Sequence, residues 1–295
     1  MKALIFGISG QDGHYLDSIL KAQGIQCIGV SRQSYPIKAN VAIYSQVEQL
    51  ISNHQPSYIF HLAANSTTRH EALFENHETI STGTLNILEA TKKYCPNAKV
   101  FITGSGVQFQ NRGEPISETD IFESSSPYAF SRIHSVYAAR YYRSLGMKVY
   151  VGYLFHHESP LRKNSHVSQM IALTAQNIAN GATEILELGD VSVEKEWTFA
   201  GDIARAIFTL IQQDEIFEAT IGSGITYTIE NWLELCFGSI NRNWRNYVKI
   251  RQNFVPQYNR LVSNPRTINS MGWMPKVTFS QLSAMMMNSA PSKAQ

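Results

Sequence analysis

The sequence is poor in cysteine and contains no long apolar run. Three cysteines, Cys27, Cys95 and Cys236, are spread over 295 residues and form no CxxC pair or cysteine–histidine cluster. This spacing argues against a disulfide framework and a zinc site, so we expect a reducing compartment and no structural metal. The first apolar run ends at Gly7, which is too short for a signal peptide or a membrane span. We therefore expect a cytoplasmic protein with no membrane partner.

Charged residues are also scarce, at 16% of the chain. Lysine and arginine total 25 against 23 for aspartate and glutamate, a formal net charge of +2, and the basic residues are scattered. Because binding to a phosphate backbone needs a concentrated positive surface, we do not expect nucleic acid as a partner. The hydrophobic share of 43% is sufficient for a substantial globular core.

Short apolar runs alternate with segments of helical spacing over about the first 160 residues. The runs are apolar at consecutive positions, which is typical of strands buried on both faces of a parallel sheet. The predicted strands are 2–6, 26–30, 58–62, 100–103 and 149–154, and the predicted helices are 14–22, 47–52, 82–94 and 127–145. This alternation predicts an α/β fold with a doubly wound parallel sheet of Rossmann type.

The pattern is looser in the second half, where we predict a strand at 184–188 and helices at 167–180, 200–213, 229–236 and 279–287. We expect residues 1–160 and about 198–223 to form the cofactor-binding domain. Residues from about 161 to 197 and from 224 to 295 would then form a smaller substrate-binding lobe. The polar tail at 289–295 is expected to be disordered.

A glycine triplet separates the first predicted strand from the first predicted helix. Gly7 allows a tight turn, Gly10 lets the backbone approach a pyrophosphate, and Gly13 allows close helix–strand packing. The amides at the start of the helix then face the phosphates. The triplet, in this strand–helix–strand context, predicts a dinucleotide site.

The second strand ends without a carboxylate. NAD-selective sites place an acidic side chain there on the ribose hydroxyls, whereas this chain has Ser31 and Arg32. A hydroxyl and a guanidinium suit a 2′-phosphate, so we expect NADP(H) to be preferred to NAD(H).

Three side chains make a candidate hydride-transfer site. Ser105 follows the fourth strand, Tyr128 begins a helix, and Arg132 lies one turn further along the same helix face. A phenol can exchange a proton with a carbinol oxygen, a hydroxyl can bind that oxygen, and a cation can stabilise the phenolate and bind the nicotinamide ribose. We therefore predict Ser105, Tyr128 and Arg132 as catalytic residues.

With these motifs the chain resembles the extended short-chain dehydrogenase/reductases, and within them the GDP-mannose 4,6-dehydratase family. The resemblance is carried by GISGQDGHYL at 7–16, PSYIFHLAA at 56–64, GTLNILEAT at 83–91, SPYAFSR at 126–132, LFHHESP at 154–160 and GW at 272–273. It implies an NADP(H)-dependent enzyme that acts on a nucleotide sugar, with GDP as the expected nucleotide. Besides the glycines, Arg32, Tyr128 and Arg132, the cofactor residues that it implies or that we predict are Gln11, Asp12, Leu62, Ala63, Ala64, Leu154, His157 and Arg162. In the family, the loop with Arg162 reaches a neighbouring subunit's cofactor, which implies a homodimer or homotetramer.

The chain departs from the family pattern at five positions. Arg132 replaces the lysine of YxxxK, and Val107 replaces the glutamate that removes a proton beside the 4-keto carbon. Ile80 replaces a polar residue, His156 replaces an asparagine, and Lys195 replaces an arginine. The predicted substrate-binding residues are Ser105, Val107, His156, Lys195 and Arg260, the last two as contacts of the diphosphate.

These departures favour a reductase of a 4-keto sugar carried on GDP, because reduction at C4 needs no second base. Two alternatives remain open: a full GDP-mannose 4,6-dehydratase, with Glu114, Glu118 or His156 as replacement base, and a C4 epimerase. A third hypothesis is a non-catalytic dinucleotide-binding protein that keeps the fold.

Overall fold

The computed structural model describes residues 1–33 and 36–289, which form 14 strands and ten α-helices within those ranges. The strands are β1 (Lys2–Phe6), β2 (Gln26–Ser31), β3 (Ile37–Lys38), β4 (Tyr58–His61), β5 (Lys99–Ser105), β6 (Lys148–Leu154), β7 (His157–Glu158), β8 (Leu186–Leu188), β9 (Glu194–Glu196), β10 (Thr198–Phe199), β11 (Glu218–Ile221), β12 (Thr226–Thr228), β13 (Val248–Ile250) and β14 (Arg260–Leu261). The helices are α1 (Gln11–Ala22), α2 (Tyr44–His54), α3 (Leu73–Asn76), α4 (Gly83–Tyr94), α5 (Pro127–Ser144), α6 (Val167–Ala179), α7 (Ala200–Ile211), α8 (Ile229–Gly238), α9 (Arg266–Ser270) and α10 (Phe279–Met287).

Seven strands form one sheet in the order β11-β6-β5-β4-β1-β2-β3, and every neighbouring pair in it is parallel. The sheet confirms the predicted Rossmann-type fold. The order reverses at β1, so the crevice beyond the carboxyl ends of β1 and β4 is the place where such sheets bind ligands.

Helices cover both faces of this sheet. The side chains of each strand point alternately to the two faces, so one strand contributes to two buried clusters. Leu4 and Phe6 of β1 pack with α2, α4 and α5 in one buried cluster. Ala3 and Ile5 pack with α1, α7 and α9 in a second cluster. Consecutive apolar residues in the strands are thus explained by burial on two sides.

A third buried cluster, built from α6, α8 and α10, lies apart from the main sheet. Its centre is the Trp197–Trp232 stack, with ring centroids 4.7 Å apart. The same part of the chain forms two small sheets, β12-β9-β14 and β13-β8. Helix α7 packs on the main sheet, and β11 is an edge strand of that sheet. The chain therefore leaves the sheet after β6, returns to it at α7 and β11, and then leaves it again. The proposed domain boundaries stay a prediction.

The predicted long elements are confirmed, with two differences of note. Helix α1 begins at Gln11 rather than at 14, and a π-helical turn at His77–Thr82, which contains Ile80, precedes α4. Most of the two- and three-residue strands were not predicted, because their pairing partners are distant in sequence and such short runs have no periodicity. The predicted disordered tail lies, except for Ser289, outside the described residues. Within residues 1–33 and 36–289, no helix is long and apolar enough to cross a membrane.

Candidate active site

The glycine turn after β1 is a cradle that side chains would fill. Gly7 has φ +96°, and a Cβ on it would lie 2.7 Å from the backbone nitrogen of Ala63. A Cβ on Gly13 would lie 2.5 Å from the carbonyl oxygen of Gly7. Among the described residues, no side chain caps α1 at Gly10. The first amides of α1 are therefore available to an anion, which fits a pyrophosphate.

A partly buried ion pair joins α1 to the segment after β6. The Nε2 of His157 lies 2.9 Å from Oδ1 of Asp12, and its Nδ1 lies 2.7 Å from the carbonyl oxygen of Phe155. Both ring nitrogens face acceptors, so the imidazole is protonated. Burial alone would lower the pKa of His157, but the Asp12 carboxylate raises it above its usual value. Burial raises and the His157 cation lowers the pKa of Asp12, and the net direction is down.

Two further bonds fix the same junction. The Ser159 hydroxyl donates to Oε1 of Gln11 over 2.8 Å, and the Gln11 amide donates to the His157 carbonyl over 3.3 Å. The predicted cofactor residues Gln11, Asp12 and His157 therefore meet in one polar cluster, which Leu154 adjoins as the last residue of β6. Ser159 was not predicted.

The carboxylate of Glu75, which was not predicted, joins the segment after β2 to the segment after β4. Arg32 forms an ion pair with Glu75 of α3, with 2.8 Å between Nη2 and Oε1. The other oxygen of Glu75 accepts a 2.7 Å hydrogen bond from the side chain of Asn65. The predicted residues Leu62, Ala63 and Ala64 lie between β4 and Asn65, with the Leu62 amide bonded to the carbonyl of Phe6.

The predicted catalytic residues lie on β5 and α5. Ser105 ends β5, Pro127 and Tyr128 begin α5, and Ser126 caps that helix by accepting a bond from the Ala129 amide. Arg132 is one turn further, so its guanidinium lies 5.0 Å from the centre of the Tyr128 ring.

Arg132 is buried against β5 rather than exposed to solvent. It is 2% exposed, and its Nη1 donates a 2.6 Å bond to the carbonyl of Thr103, two residues before Ser105. This bond joins α5 to β5, so the guanidinium both carries the positive charge beside Tyr128 and fixes the helix against the strand.

Ile80, one of the five predicted departures from the family pattern, lies in the π-helical turn at His77–Thr82. Ile80 is fully buried, and its carbonyl accepts bonds from Thr84 at 2.7 Å and from Ser135 at 3.1 Å. The side chain at position 80 therefore contributes packing, while hydroxyls of α4 and α5 satisfy its backbone.

A cavity of about 550 Å³ opens beside the end of β5 and contains two predicted substrate residues, Val107 and Arg260. Its remaining lining residues are Phe109, Asn111, Arg112, Gly113, Glu123, Ser125, Pro256, Gln257, Tyr258, Asn259 and Leu261. Arg260 donates to the Gly113 carbonyl over 3.0 Å and pairs with Glu194 over 3.2 Å.

His156 contacts Tyr258, a residue that lines this cavity and was not predicted. Their side chains are joined by a 2.9 Å hydrogen bond between Nε2 and the phenol oxygen. Burial, with a smaller contribution from Lys195, lowers the pKa of His156 well below its usual value, so its imidazole is neutral near pH 7. Burial, and then the charge of Glu158, raises the pKa of Tyr258. The pair is thus uncharged.

The charged side chains of Glu158, Lys195 and Arg162 form a cluster next to His156, in which the first two are buried and Arg162 is partly exposed. Glu158 is 1% exposed, its Oε1 lies 3.7 Å from Lys195 and its Oε2 lies 3.1 Å from Nε of Arg162. Lys195 is 5% exposed and lies over the Trp197 ring at 4.4 Å. Burial alone would raise the pKa of Glu158, but Arg162 and then Lys195 lower it to about 2. In this structure Lys195 and Arg162 are partners of Glu158.

Replacing Glu158 by glutamine is expected to lower the free energy of unfolding by about 3–5 kcal/mol, because it leaves two cations in a poorly solvated site without their anion. The measurement is urea unfolding at pH 7. Glu187→Gln is the control, since Glu187 pairs with Lys249 at 3.9 Å on the surface, and it is expected to change little. Equal effects of the two variants would contradict the role of burial.

Comparison with known proteins decides the family. The family model described as GDP-mannose 4,6 dehydratase matches residues 36–286. The chain belongs to the GDP-mannose 4,6-dehydratase family. It is therefore a sugar-nucleotide-modifying enzyme of the extended short-chain dehydrogenase/reductase group, as the sequence motifs predicted. Among the described residues, no three His, Cys, Asp or Glu side chains are grouped to hold a metal ion.

Two relatives share about 30% of their sequence with this chain. GDP-mannose 4,6 dehydratase 2 of Arabidopsis thaliana is 30% identical, over 97% of this chain and 86% of its own. The GDP-mannose 4,6-dehydratase of Vibrio cholerae is 29% identical, over 79% and 70%.

Solved structures share the fold across nearly the whole chain. RMD of Pseudomonas aeruginosa, complexed with NADPH, superposes with a TM-score of 0.85 at 21% identity, covering 98% of this chain and 96% of its own. UDP-glucose 4-epimerase of Thermus thermophilus, complexed with NAD, superposes with a TM-score of 0.83 at 21% identity, covering 98% of each.

Proposed function

We propose that this family member catalyses NADP(H)-dependent oxidoreduction at C4 of a GDP-activated hexose. The observation that carries the proposal is the grouping of Tyr128 and Arg132 on α5, with the guanidinium tied to the strand that ends at Ser105. A phenol beside a fixed cation can exchange a proton with a C4 oxygen, and a nearby hydroxyl can orient that oxygen.

The dinucleotide is assigned to the glycine cradle, where the α1 amides bind the pyrophosphate and Arg32 binds the 2′-phosphate. When bound, it supplies the hydride. Tyr128 would transfer the proton at the C4 oxygen, and Arg132 would stabilise the phenolate. The predicted contact of Arg132 with the nicotinamide ribose stays a prediction, since the guanidinium is 2% exposed and bonded to Thr103 in this structure. The relatives that carry NAD or NADPH support a cofactor of this class.

The sugar nucleotide is assigned to the cavity beside Val107. Arg260 would bind the diphosphate and His156, with Tyr258, the sugar hydroxyls. Lys195 would act from behind this layer, since Glu158 already partners it. We propose GDP as the nucleotide because the relatives are named for GDP-mannose. An oligomer, a homodimer or homotetramer, also stays a proposal, as Arg162 is paired within its own chain.

Reduction of a 4-keto sugar is the candidate that position 107 favours. Elimination of water across C5 and C6 needs a base at C5, and Val107 offers none. Of the replacement bases, Glu118 is bonded to Thr220 and Thr267, and Glu114 is not among the residues that line the cavity.

The full dehydratase is the second candidate, and the names of the relatives favour it. It would use His156 as the base, because its neutral imidazole contacts Tyr258 of the cavity. The same burial that keeps His156 neutral also lowers its pKa and makes it a weak base. A C4 epimerase uses the same proton and hydride steps without net change of the cofactor.

Two assays and one variant separate these candidates. GDP-4-keto-6-deoxymannose with NADPH tests the reductase, and GDP-mannose with NADP⁺ tests the dehydratase. If the protein is a reductase, Val107→Glu is expected to create a measurable yield of 4-keto-6-deoxy product from GDP-mannose, with Val107→Gln as the uncharged control. If the wild type already eliminates water, Val107→Glu will add little. Tight NADPH binding without any turnover, also after Arg132→Lys, would favour a non-catalytic protein and overturn the proposal.

A further inference from the structure

The guanidinium of Arg32 is held by a carboxylate of its own chain. Arg32 and Glu75 are 2.8 Å apart, with side chains 53% and 39% exposed, so both remain open to a ligand from solvent. Asn65 fixes the other oxygen of Glu75 at 2.7 Å. The bond from Arg32, and then that from Asn65 against the effect of burial, holds the pKa of Glu75 below its usual value. The carboxylate is thus anionic near pH 7.

This pair lies at the edge of the sheet where a Rossmann site receives the adenosine ribose. Arg32 follows β2 and Asn65 follows β4, and β1, which leads into the glycine turn, pairs with both strands. Such sites carry either a carboxylate, which accepts bonds from the ribose hydroxyls of NAD, or an arginine, which binds the 2′-phosphate of NADP. This chain has both groups, with the carboxylate supplied by α3 instead of β2.

We propose that Glu75 competes with the 2′-phosphate for Arg32 and so sets the balance between NADP(H) and NAD(H). The inference rests on the dinucleotide site of the proposed function. NADP(H) must share Arg32 with Glu75 or displace it, and in both cases its 2′-phosphate lies beside the negative charge of Glu75. The ribose hydroxyl of NAD(H) can donate to Glu75 where it stands.

The expected effect follows from the charges that remain. An exposed ion pair contributes little by itself, so releasing Arg32 costs little. The repulsion between the displaced carboxylate and a phosphate dianion is larger, is relieved by glutamine, and is screened by salt. Lys163 is a second cation that lowers the pKa of Glu75, and it moderates this repulsion without removing it.

The test is a pair of binding titrations, followed by nucleotide fluorescence, with NADPH and NADH and no sugar substrate. Glu75→Gln is expected to raise the affinity for NADPH about tenfold at low salt and less at high salt, and to change that for NADH by less than about threefold. Glu71→Gln is the matched control, since Glu71 lines the same surface cavity as Glu75. In an Arg32→Gln background there is no guanidinium to compete for, but Glu75 still repels the 2′-phosphate, so Glu75→Gln is expected to give a smaller gain in NADPH affinity than in the wild type.

Each result decides something. Equal changes for both nucleotides, no change, or the same gain from Glu71→Gln would overturn the role of Glu75. If the wild type binds NADPH and NADH but Glu75→Gln moves neither, the dinucleotide site stands and the inference falls. If the wild type binds no pyridine nucleotide, the proposed function falls with it.

Discussion

Tyr128→Phe is expected to lower the rate of hydride transfer at C4 by about 10²–10⁴-fold, the range for loss of a general acid–base group. Phenylalanine keeps the ring beside Arg132 but has no proton to exchange with the C4 oxygen. The measurement is single-turnover oxidation of NADPH by GDP-4-keto-6-deoxymannose. Affinity for NADPH is expected to stay within about threefold, because the glycine cradle is untouched.

The control is Tyr137→Phe, on the same helix. Its side chain is 58% exposed, so loss of its hydroxyl is expected to leave the rate unchanged. A Tyr128→Phe variant with the wild-type rate would show that another group, such as Tyr258, donates the proton.

Gly7→Ala is expected to abolish dinucleotide binding and to lower the free energy of unfolding by about 2–5 kcal/mol, from backbone strain and steric overlap together. Gly7 combines φ +96° with a Cβ position 2.7 Å from backbone. Urea unfolding and NADPH titration measure the two effects.

Two other glycines separate the causes. Gly181 has φ +92° and, among the described residues, open space around the added Cβ, so Gly181→Ala is expected to cost about 1–2 kcal/mol and to leave binding intact. A Cβ on Gly10 meets the Gly7 carbonyl oxygen at 3.4 Å, an acceptable contact. Gly10→Ala is therefore expected to fold normally and to lose affinity, because its Cβ takes the space of the pyrophosphate. Normal binding by Gly10→Ala would contradict the assignment of the cradle.

The fold was predictable because five of the seven strands of the sheet lie in mainly apolar runs and the helices between them have clear ends. The edge strands β3 and β11 are not such runs and were not predicted. The Ser126 cap and Pro127, for example, are local signals for the start of α5. Placement of Ser105 and the glycine turn at one edge then follows from parallel pairing alone.

The polar partners were not predictable in the same way. Glu75 lies 43 residues from Arg32, and Tyr258 lies 102 residues from His156. Both sit in short elements or loops whose position depends on packing across the molecule, so no local pattern marks them. The burial of Lys195 against Glu158 was also not predicted, because a lysine in a polar run normally faces solvent.

The place of β11 in the sheet affects how the molecule is made. During synthesis on a ribosome, β6 can pair with β5 early, but its other edge waits for residues 218–221. Until these emerge, Tyr153 and the guanidinium groups of Arg140 and Arg143 lack Glu218, the carboxylate that they share in the finished protein. Until then the nascent chain carries an open strand edge, which can pair with the edge of another chain and so promote aggregation.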